Sequence, residues 1–406
     1  MNVLFLTLVE IDSVEDRGLY QDLLRKFRDE GHEVTIVTPV QRRRAIGTNL
    51  QKKEGVSILQ VKTLNIQKTN IVEKGVGTLA IEYQYLHAIK KYLENVKFDL
   101  VLYSTPPITL VKVIQYLKKR DGAFAYLLLK DIFPQNAVDM KMIKKGGLLH
   151  RQFVKKEKKL YRISDMIGCM SPANAEFLIR HHPELDPTKV EVNPNSIEPH
   201  YSEDTEEEKN QIRKKYGLPL DRRIFVYGGN LGKPQGLDFL LETITATAET
   251  GAYFLIVGSG TEYDRIMKWF NDYQPQNAML IGALPKKDYD VLLAACDVGL
   301  IFLDKNFIIP NFPSRLLSYL EIGMPIIAAT DPNTDIGDII ENNNCGFKVM
   351  AGDADRMKEV INRLSIENLM PYTGFAKDLL ENEYHVSNSY SLICAAMKDR
   401  VMRNNN

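Results

Sequence analysis

The stretch NFPSRLLSYLEIG, residues 311–323, places a cation at the beginning of a predicted helix. Pro313 and Ser314 are residue types that open helices, and Arg315 follows them directly. A helix N-terminus presents unpaired N–H groups and the positive end of the helix dipole, so an anion there would also meet the Arg315 guanidinium. A helix that is merely capped would show the same residues. Gly323 and then Pro325 predict where the helix ends.

A second stretch, YGGNLGKPQGLDFLLETI (227–244), has related chemistry. Its pattern predicts a strand, a glycine-rich loop and a helix, an arrangement that lets backbone N–H groups approach a phosphate. It is not a P-loop, because Tyr227 stands where that motif needs glycine and Pro234 where it needs Ser or Thr. A tight turn is the alternative. Two such loops at strand-to-helix junctions in one half of the chain favour a diphosphate over coincidence.

Two further loops give weaker signals. The Gly-Ser-Gly turn in VGSG (257–260) follows a predicted strand, and such turns are more often structural than ligand-binding. The segment IGALPKKDYDVLLAACD (281–297) has a strand that ends in Gly282 and a helix that begins near Pro285. The backbone of this loop could contact the edge of a nucleotide base.

Alternating strands and helices must position these loops. In the first part of the chain the predicted strands are 2–9, 34–39, 98–107, 123–131 and one near 165–170, and the pattern restarts at 222–230, 252–260, 278–285, 297–303 and 324–331. This alternation predicts the α/β class. We expect two Rossmann-like, doubly wound parallel-sheet domains that face a central cleft, with the ligand beyond the carboxyl ends of the strands.

The domain boundary is predicted from a polar, proline-bearing linker. Pro194, Pro199 and the acidic run 203–210 lie between the two series of strands. We therefore expect an N-terminal acceptor-binding domain at 1–198 and a C-terminal donor-binding domain at 199–380. The last segment, 381–406, is expected to be a helix that packs back on the N-terminal domain.

Composition excludes several classes of protein. Among the 406 residues, 52 Lys and Arg balance 52 Asp and Glu, so the whole molecule has no long-range attraction to nucleic acid. The four cysteines lack metal-ligand spacing and are expected to be reduced, mostly buried thiols. The N-terminus resembles a first strand rather than a signal peptide, and no apolar run is long enough for a membrane span. We expect a cytoplasmic protein without a metal site.

Several motifs together resemble one enzyme family. GGNLGKPQGLDFLLE, VGSG, IGALP, ACDVGLIFL and FPSRLLSYLEIGMPII, in this order, are similar to the donor domain of retaining glycosyltransferases of family 4, which have the two-domain GT-B architecture. RGLYQDLLRKFRDEGHEVTIVTP, YSTPP, LKDIFPQ and VNPNSIE extend the resemblance over nearly the whole chain. Within the family, the chain is most similar to capsule and O-antigen transferases, including N-acetyl-L-fucosaminyltransferases. The resemblance implies a nucleoside-diphosphate-sugar donor, retention at the anomeric carbon and no obligatory metal or other cofactor.

The resemblance also implies a set of site residues. Asp131, Lys233 and Arg315 are implied as catalytic: the two cations would stabilise the leaving diphosphate, and Asp131 would orient an acceptor hydroxyl or stabilise positive charge on the sugar. A cap or turn is the alternative role for Asp131. The nucleotide-sugar site would comprise Gly18, Gly229, Asn230, Lys233, Gly258, Gly282, Ala283, Leu284, Asn311, Phe312, Ser314, Arg315 and Ser318.

The chain departs from the family pattern at two places. Pro310 and Ser318 replace the Glu-x7-Glu pair, whose second Glu holds the nucleotide ribose, so Ser318 is left to make a weaker contact. Asn230 and Gln235 stand where the family has Arg and Lys. Lys233 and Arg315 are then the residues that can supply the missing positive charge.

The segment 141–162 is strongly basic. It contains nine Lys or Arg residues and one acid, Glu157, with Leu148, Leu149 and Phe153 interleaved. A solvated helix face is one interpretation. The other is a surface that docks on an anionic membrane. The similarity to transferases acting on undecaprenyl-diphosphate-linked sugars favours this second interpretation.

The sequence therefore predicts a glycosyltransferase peripherally bound to the inner face of the cell membrane. Its donor would be a UDP-sugar, with an N-acetylated deoxyhexose such as N-acetyl-L-fucosamine as the transferred group. Its acceptor would be a lipid-diphosphate-linked sugar. Two alternatives stay open: a sugar-nucleotide 2-epimerase of the same architecture, and a non-catalytic sugar-nucleotide-binding subunit.

Overall fold

The structure is a computed structural model that describes residues 1–64, 71–140, 143–201 and 205–404. The chain forms two compact units, one made of Met1–Glu198 with His385–Asn406 and the other of Pro199–Tyr384. Each unit contains its own sheet. The predicted class, α/β with two parallel-sheet domains, is confirmed.

The N-terminal unit has an eight-stranded sheet. Its strands are β1 (Asn2–Leu6), β2 (Glu33–Gln41), β3 (Asn49–Lys53), β4 (Val56–Thr63), β5 (Leu100–Ser104), β6 (Phe124–Leu129), β7 (Met166–Cys169) and β8 (Val190–Val192). The strand order is β3-β4-β2-β1-β5-β6-β7-β8, and only β3 is antiparallel to its neighbour. The sequence analysis missed β3, β4 and β8; of these, β3 is a largely exposed edge strand with the polar sequence NLQKK.

The helices of this unit use apolar stripes to cover the sheet. They are α1 (Leu19–Asp29), α2 (Ile71–Tyr92), α3 (Val111–Asp121), α4 (Gln135–Asp139), α5 (Leu148–Ile163) and α6 (Pro172–His181). In α1 the buried side chains Leu23, Leu24 and Phe27 recur at helical spacing and pack into the core beside Phe5. Just beyond the end of α1, Gly31 adopts a positive φ of 81° and its N–H donates to Arg28 O, which ends the helix.

The C-terminal unit has a six-stranded, fully parallel sheet. Its strands are β9 (Arg223–Asn230), β10 (Ala252–Ser259), β11 (Ala278–Gly282), β12 (Val298–Phe302), β13 (Ile326–Thr330) and β14 (Gly346–Met350). Its helices are α7 (Glu206–Tyr216), α8 (Leu237–Ala246), α9 (Tyr263–Tyr273), α10 (Lys286–Ala294), α11 (Arg315–Ile322), α12 (Ile336–Asn342), α13 (Ala354–Ile366) and α14 (Met370–Leu379).

The order of this second sheet, β11-β10-β9-β12-β13-β14, creates a switch point. The chain builds outward from β9 in one direction through β10 and β11, then returns to place β12 on the other side of β9. At such a point the loops after the two central strands diverge and leave a crevice at the carboxyl ends of the strands. The loops after β9 and β12 are the two that the sequence analysis selected as phosphate-binding.

The chain ends in α15 (Val386–Asn404), which belongs to the N-terminal unit. The hydroxyl of Tyr390 on this helix lies 3.0 Å from His32 Nε2, and the Tyr390 ring packs edge-on against Phe27. The hydroxyl of Ser389 donates to Asn193 Oδ1 at 2.7 Å. The contacts place the change of unit after Tyr384, whereas the sequence analysis placed it after residue 380.

Candidate active site

The loops after β9 and β12 are joined at the switch point. The backbone N–H of Asp304, just beyond β12, donates to Pro234 O at 3.0 Å. Pro234 lies in a single 3-10 turn, Lys233–Gln235, that leads into α8. The hydrogen bond holds the glycine-rich loop against the strand that precedes Arg315, so the two predicted phosphate-binding segments form one site.

Arg315 lies at the centre of this site. Its Nη2 donates to Gln235 Oε1 at 2.7 Å, and its guanidinium carbon lies 4.2 Å from the ring centroid of Tyr227. The Tyr227 hydroxyl is 3.2 Å from the same Gln235 oxygen and 3.0 Å from Asn230 O. Arg315 Nη1 is buried and has no hydrogen-bond partner among the described residues. An unsatisfied buried N–H group of a cation is costly, and an anionic ligand would satisfy it.

Gly229 lies next to the Arg315 guanidinium at the end of β9. Its φ of 114° is a backbone conformation that favours glycine, and a Cβ at this position would stand 3.7 Å from Arg315 Nη2. Gly229 and Asn230 are both solvent-exposed. A side chain at this position would therefore contact the cation, whereas glycine leaves this exposed space beside Arg315 open.

Tyr319 fixes α11 to the two central strands. Its hydroxyl is 3.2 Å from both Val226 O on β9 and Leu300 O on β12, and it accepts a hydrogen bond from Gly228 N–H at 3.4 Å. The ring is fully buried. Because Tyr319 is one turn after Arg315, this anchor also fixes the start of the helix from which Arg315 projects.

Ser314 does not act as the predicted helix cap. It occupies the N-cap position of α11, but it is exposed and its side chain accepts no capping hydrogen bond. Its φ of −64° and ψ of −15° are helical, whereas a capping serine adopts extended backbone. The N–H groups of Leu316 and Leu317 already donate to Pro313 O and Ser314 O. The helix start thus offers fewer free N–H groups than expected, and Arg315 carries most of its attraction for an anion.

Other predicted residues lie on the same two segments as Gln235 and Arg315. Lys233 is exposed on the 3-10 turn, and Asn230 is exposed at the end of β9. Ser318 is half-buried and lies one turn beyond Ser314, on the same side of α11. The predicted stop of α11 at Gly323 is confirmed, because Gly323 follows the last helical residue with a left-handed φ of 78°.

The predicted residues after β10 and β11 differ in accessibility. Gly258 is buried and paired with Gly229, and a Cβ there would lie 1.9 Å from Gly229 O. This close approach gives Gly258 a packing role that supports the backbone of Gly229. Gly282 ends β11, Ala283 is exposed and Leu284 is half-buried. Contact of these residues with a nucleotide stays a prediction.

Asn311 and Phe312 lie between β12 and α11. The N–H of Asn311 donates to Thr334 Oγ1 at 3.0 Å. Phe312 is only 9% exposed, and its ring packs 6.1 Å from that of Tyr384. The Phe312 side chain therefore contributes to the core of this unit, which leaves its backbone as the part that could contact a ligand.

The remaining predicted residues, Gly18 and Asp131, lie in the N-terminal unit. Gly18 is at the N-cap position of α1, in extended backbone. Asp131 follows β6, and its backbone N–H donates to Thr105 Oγ1, at the end of β5, at 3.2 Å. Because β5 lies between β1 and β6, both predicted residues follow strands that end at the same edge of the sheet.

Asp131 is held by a side chain that the sequence analysis did not single out. Asn136 Nδ2 lies 2.7 Å and 2.6 Å from the two carboxylate oxygens of Asp131. Burial raises the pKa of Asp131 to about 6, although the hydrogen bond from Asn136 opposes that rise. Burial also lowers the pKa of the adjacent Lys130 to about 7. A carboxylate that titrates near neutral pH suits acid or base chemistry.

Sequence reasoning missed four residues of these two clusters. Tyr227 and Gln235 were noticed only as departures from known motifs. Lys130 lies in the motif LKDIFPQ and Asn136 directly follows it, and neither was given a role. Their contacts depend on side-chain positions that no local pattern predicts. Within the parts of the chain that the structure describes, His, Cys, Asp and Glu side chains form no group of three or more that could hold a metal ion.

Comparison with known proteins finds a family similarity in the C-terminal unit. Residues 208–382 match the family described as Glycosyl transferases group 1, and this match includes β9 to β14 and the whole Arg315 cluster. The chain is thus similar to group 1 glycosyltransferases of the GT-B fold. It is also similar to a protein of Pseudomonas aeruginosa named "Probable glycosyltransferase WbjE". The two are 24% identical over 310 residues, or 76% of each chain.

Solved structures agree on the fold of this chain. Anabaena HepE in complex with UDP has a TM-score of 0.68 and 14% identity, covering 98% of this chain and 100% of the other. WaaG, a glycosyltransferase involved in lipopolysaccharide biosynthesis, has a TM-score of 0.63 and 14% identity, covering 97% and 98% of the two chains. At this level of identity the likeness extends to the fold alone.

Proposed function

We propose that this glycosyltransferase moves a sugar from a UDP-sugar to a lipid-diphosphate-linked acceptor during the synthesis of a surface polysaccharide. The observation that carries the proposal is Arg315, whose Nη1 is buried with no partner among the described residues, at the switch point of the unit that matches group 1 glycosyltransferases. The site lies where α/β sheets bind ligands, and its charge suits a diphosphate. A UDP complex of the similarly folded HepE supports the choice of nucleotide.

The chemical task is to stabilise a leaving diphosphate while the anomeric carbon becomes cationic. Arg315 would bind the diphosphate through Nη1, and the exposed Lys233 on the facing loop would add a second positive charge. If the leaving phosphate takes the proton of the acceptor hydroxyl on the same face of the sugar, the reaction proceeds with retention. Asp131, ionised above its pKa of about 6, would orient that hydroxyl or stabilise the cationic sugar.

The proposed identities of the transferred sugar and of the lipid carrier rest on similarity to known transferases. The resemblance to N-acetyl-L-fucosaminyltransferases supports an N-acetylated deoxyhexose as the transferred sugar and undecaprenyl diphosphate as the lipid carrier in capsule or O-antigen synthesis. The similarly folded WaaG acts in lipopolysaccharide biosynthesis, which also supports an acceptor in envelope polysaccharide synthesis. Catalysis without a metal is part of the same proposal.

We further propose that α5 holds the enzyme at an anionic membrane surface. Its exposed face carries one apolar residue and four cations at helical spacing: Leu148, Arg151, Lys155, Lys159 and Arg162. Leu148 is 78% exposed and Leu149 52%. The only acid, Glu157, is on the buried side, where burial raises its pKa to about 8. Each cation near anionic headgroups contributes about 1 kcal/mol of attraction.

The structure refines which part of the basic segment can take part in this contact. Lys141 lies outside the described residues. Lys158 pairs with Glu184 at 2.9 Å, and Lys156 is half-buried. No helix among the described residues has the length and apolar character that crossing a bilayer requires.

A transfer assay with three distinct outcomes tests the proposed function. The protein is first screened by thermal shift against UDP, other nucleoside diphosphates and their sugars. It is then incubated with a UDP-sugar and a lipid-diphosphate-linked sugar, and the products are separated by chromatography and identified by mass spectrometry and, for epimers, by NMR. We expect a thermal shift with UDP and transfer to the acceptor. Release of an epimerised UDP-sugar would identify an epimerase, and binding without turnover would identify a non-catalytic subunit.

A further inference from the structure

Gln235 is the residue through which the cation of the site is held. It is only 8% exposed, and its side-chain oxygen accepts from Arg315 Nη2 at 2.7 Å. The same oxygen lies 3.2 Å from the Tyr227 hydroxyl. The Tyr227 hydroxyl carries a single proton and lies nearer to Asn230 O, at 3.0 Å, so the hydrogen bond from Arg315 is the one that occupies the Gln235 oxygen. The guanidinium is therefore fixed at one edge by Gln235 and along one face by the Tyr227 ring.

This arrangement leaves one part of the guanidinium for a ligand. Nη2 is engaged by Gln235, while Nη1 has no partner among the described residues. Since the guanidinium is planar, fixing Nη2 and the stacked face also fixes the direction of the Nη1 hydrogens. Without Gln235, Arg315 could rotate away from the orientation in which Nη1 is unpaired.

The charge state of residue 235 matters as much as its hydrogen bond. A lysine at this position would bring a second cation to within hydrogen-bond distance of Arg315. A carboxylate would hold Arg315 more strongly but would neutralise it before an anion arrived. A neutral amide orients the guanidinium and leaves its full charge for the ligand.

We infer that Gln235 is a positioning residue that, together with the Tyr227 ring, directs Arg315 Nη1 toward the diphosphate of the nucleotide. The inference rests on the proposed function, because it deepens the role of the same site. It assigns to Gln235 a contribution to UDP affinity that comes from orientation and charge, not from contact with the substrate.

The Gln235→Glu and Gln235→Met variants separate this role from simple packing. Glutamate keeps the shape and strengthens the bond to Arg315, so we expect a raised melting temperature together with a loss in UDP affinity of about tenfold or more. Methionine keeps the volume and removes the acceptor, so we expect weaker UDP binding without a gain in stability. The double variant Gln235→Lys/Arg315→Gln moves the charge across the hydrogen bond and should recover part of the affinity that Arg315→Gln loses.

The experiment measures the Kd of UDP by calorimetry and melting temperature by calorimetric scanning for each variant. Gln276→Glu, an exposed glutamine of the same unit, is the matched control and should bind UDP like the wild type. A Gln235→Glu variant that binds UDP as tightly as the wild type, or whose stability and affinity fall together, would overturn the positioning role while leaving the proposed function intact. A wild-type protein that binds no UDP would overturn the proposed function and this inference with it.

Discussion

The pair formed by Asp131 and Asn136 predicts a specific pH dependence. The proposed reaction uses Asp131 as a carboxylate, and burial raises the pKa of this group to about 6. Protonation therefore removes the active form as the pH falls through about 6. We expect kcat/KM to fall on the acid side with a midpoint near pH 6, and Asp131→Asn to lose most activity at every pH.

Removal of the Asn136 side chain should move that midpoint upward. Its Nδ2 lies 2.7 Å and 2.6 Å from the two carboxylate oxygens, and this contact lowers the pKa of Asp131. A hydrogen bond to a charged group contributes about 1.5–3 kcal/mol, and 1.36 kcal/mol corresponds to one pH unit. Water that enters the vacated space recovers part of this hydrogen-bond free energy. We therefore expect the acid midpoint of Asn136→Ala near pH 7, about one unit above the wild type.

The assay is a pH series of initial rates between about pH 5 and 9, with a water-soluble sugar-diphosphate acceptor. Asn49→Ala, which removes another side-chain amide of the same unit, is the control and should keep the wild-type profile. Lys130, with a pKa lowered by burial to about 7, loses its charge as the pH rises, so any contribution from it appears on the alkaline side. An acid midpoint that stays in place in Asn136→Ala would refute the assignment of that limb to Asp131.

Three further predictions test the site and its surroundings. Arg315→Ala should lower kcat by about 10²–10³, because a charge aimed at the leaving group is lost. Arg356→Ala, which changes a surface arginine of the same unit, should leave kcat unchanged. Wild-type kinetics in a folded Arg315→Ala protein would contradict the role proposed for Arg315. Activity should survive EDTA, and its loss with recovery in magnesium or manganese would contradict the metal-free proposal. Replacing Arg151, Lys155 and Lys159 with Gln should remove up to about 3 kcal/mol of attraction to anionic vesicles at low salt while leaving transfer to a soluble acceptor nearly unchanged; unchanged sedimentation with vesicles would make α5 a merely solvated helix.

Local patterns were sufficient for the architecture of this protein. Apolar runs separated by helical stripes predicted two parallel-sheet domains, because most strands are buried on both faces and the helices between them on one. Glycine and proline predicted where helices end, as at Gly323, because local backbone geometry sets these positions. The edge strand β3 was missed because its exposed polar sequence carries no such pattern.

Local patterns also selected the two loops of the candidate site but not the contacts between them. The two glycine- and proline-rich loops were selected from sequence because they follow strands and precede helices. The roles of Ser314 and Phe312 within them were not predictable. Whether Ser314 caps α11 is set by its φ and ψ angles, which are helical. Phe312 packs near Tyr384, which is far along the chain.

Only the tertiary structure decided how the cation is presented. Gln235 and Arg315 are 80 residues apart and meet because β12 returns to the side of β9 after β10 and β11 have been placed on the other. The sequence alone determined that a cation begins α11 and that a glutamine stands in the facing loop. A hydrogen bond of 2.7 Å requires both backbones and both rotamers to be fixed, and packing across non-consecutive strands is what fixes them.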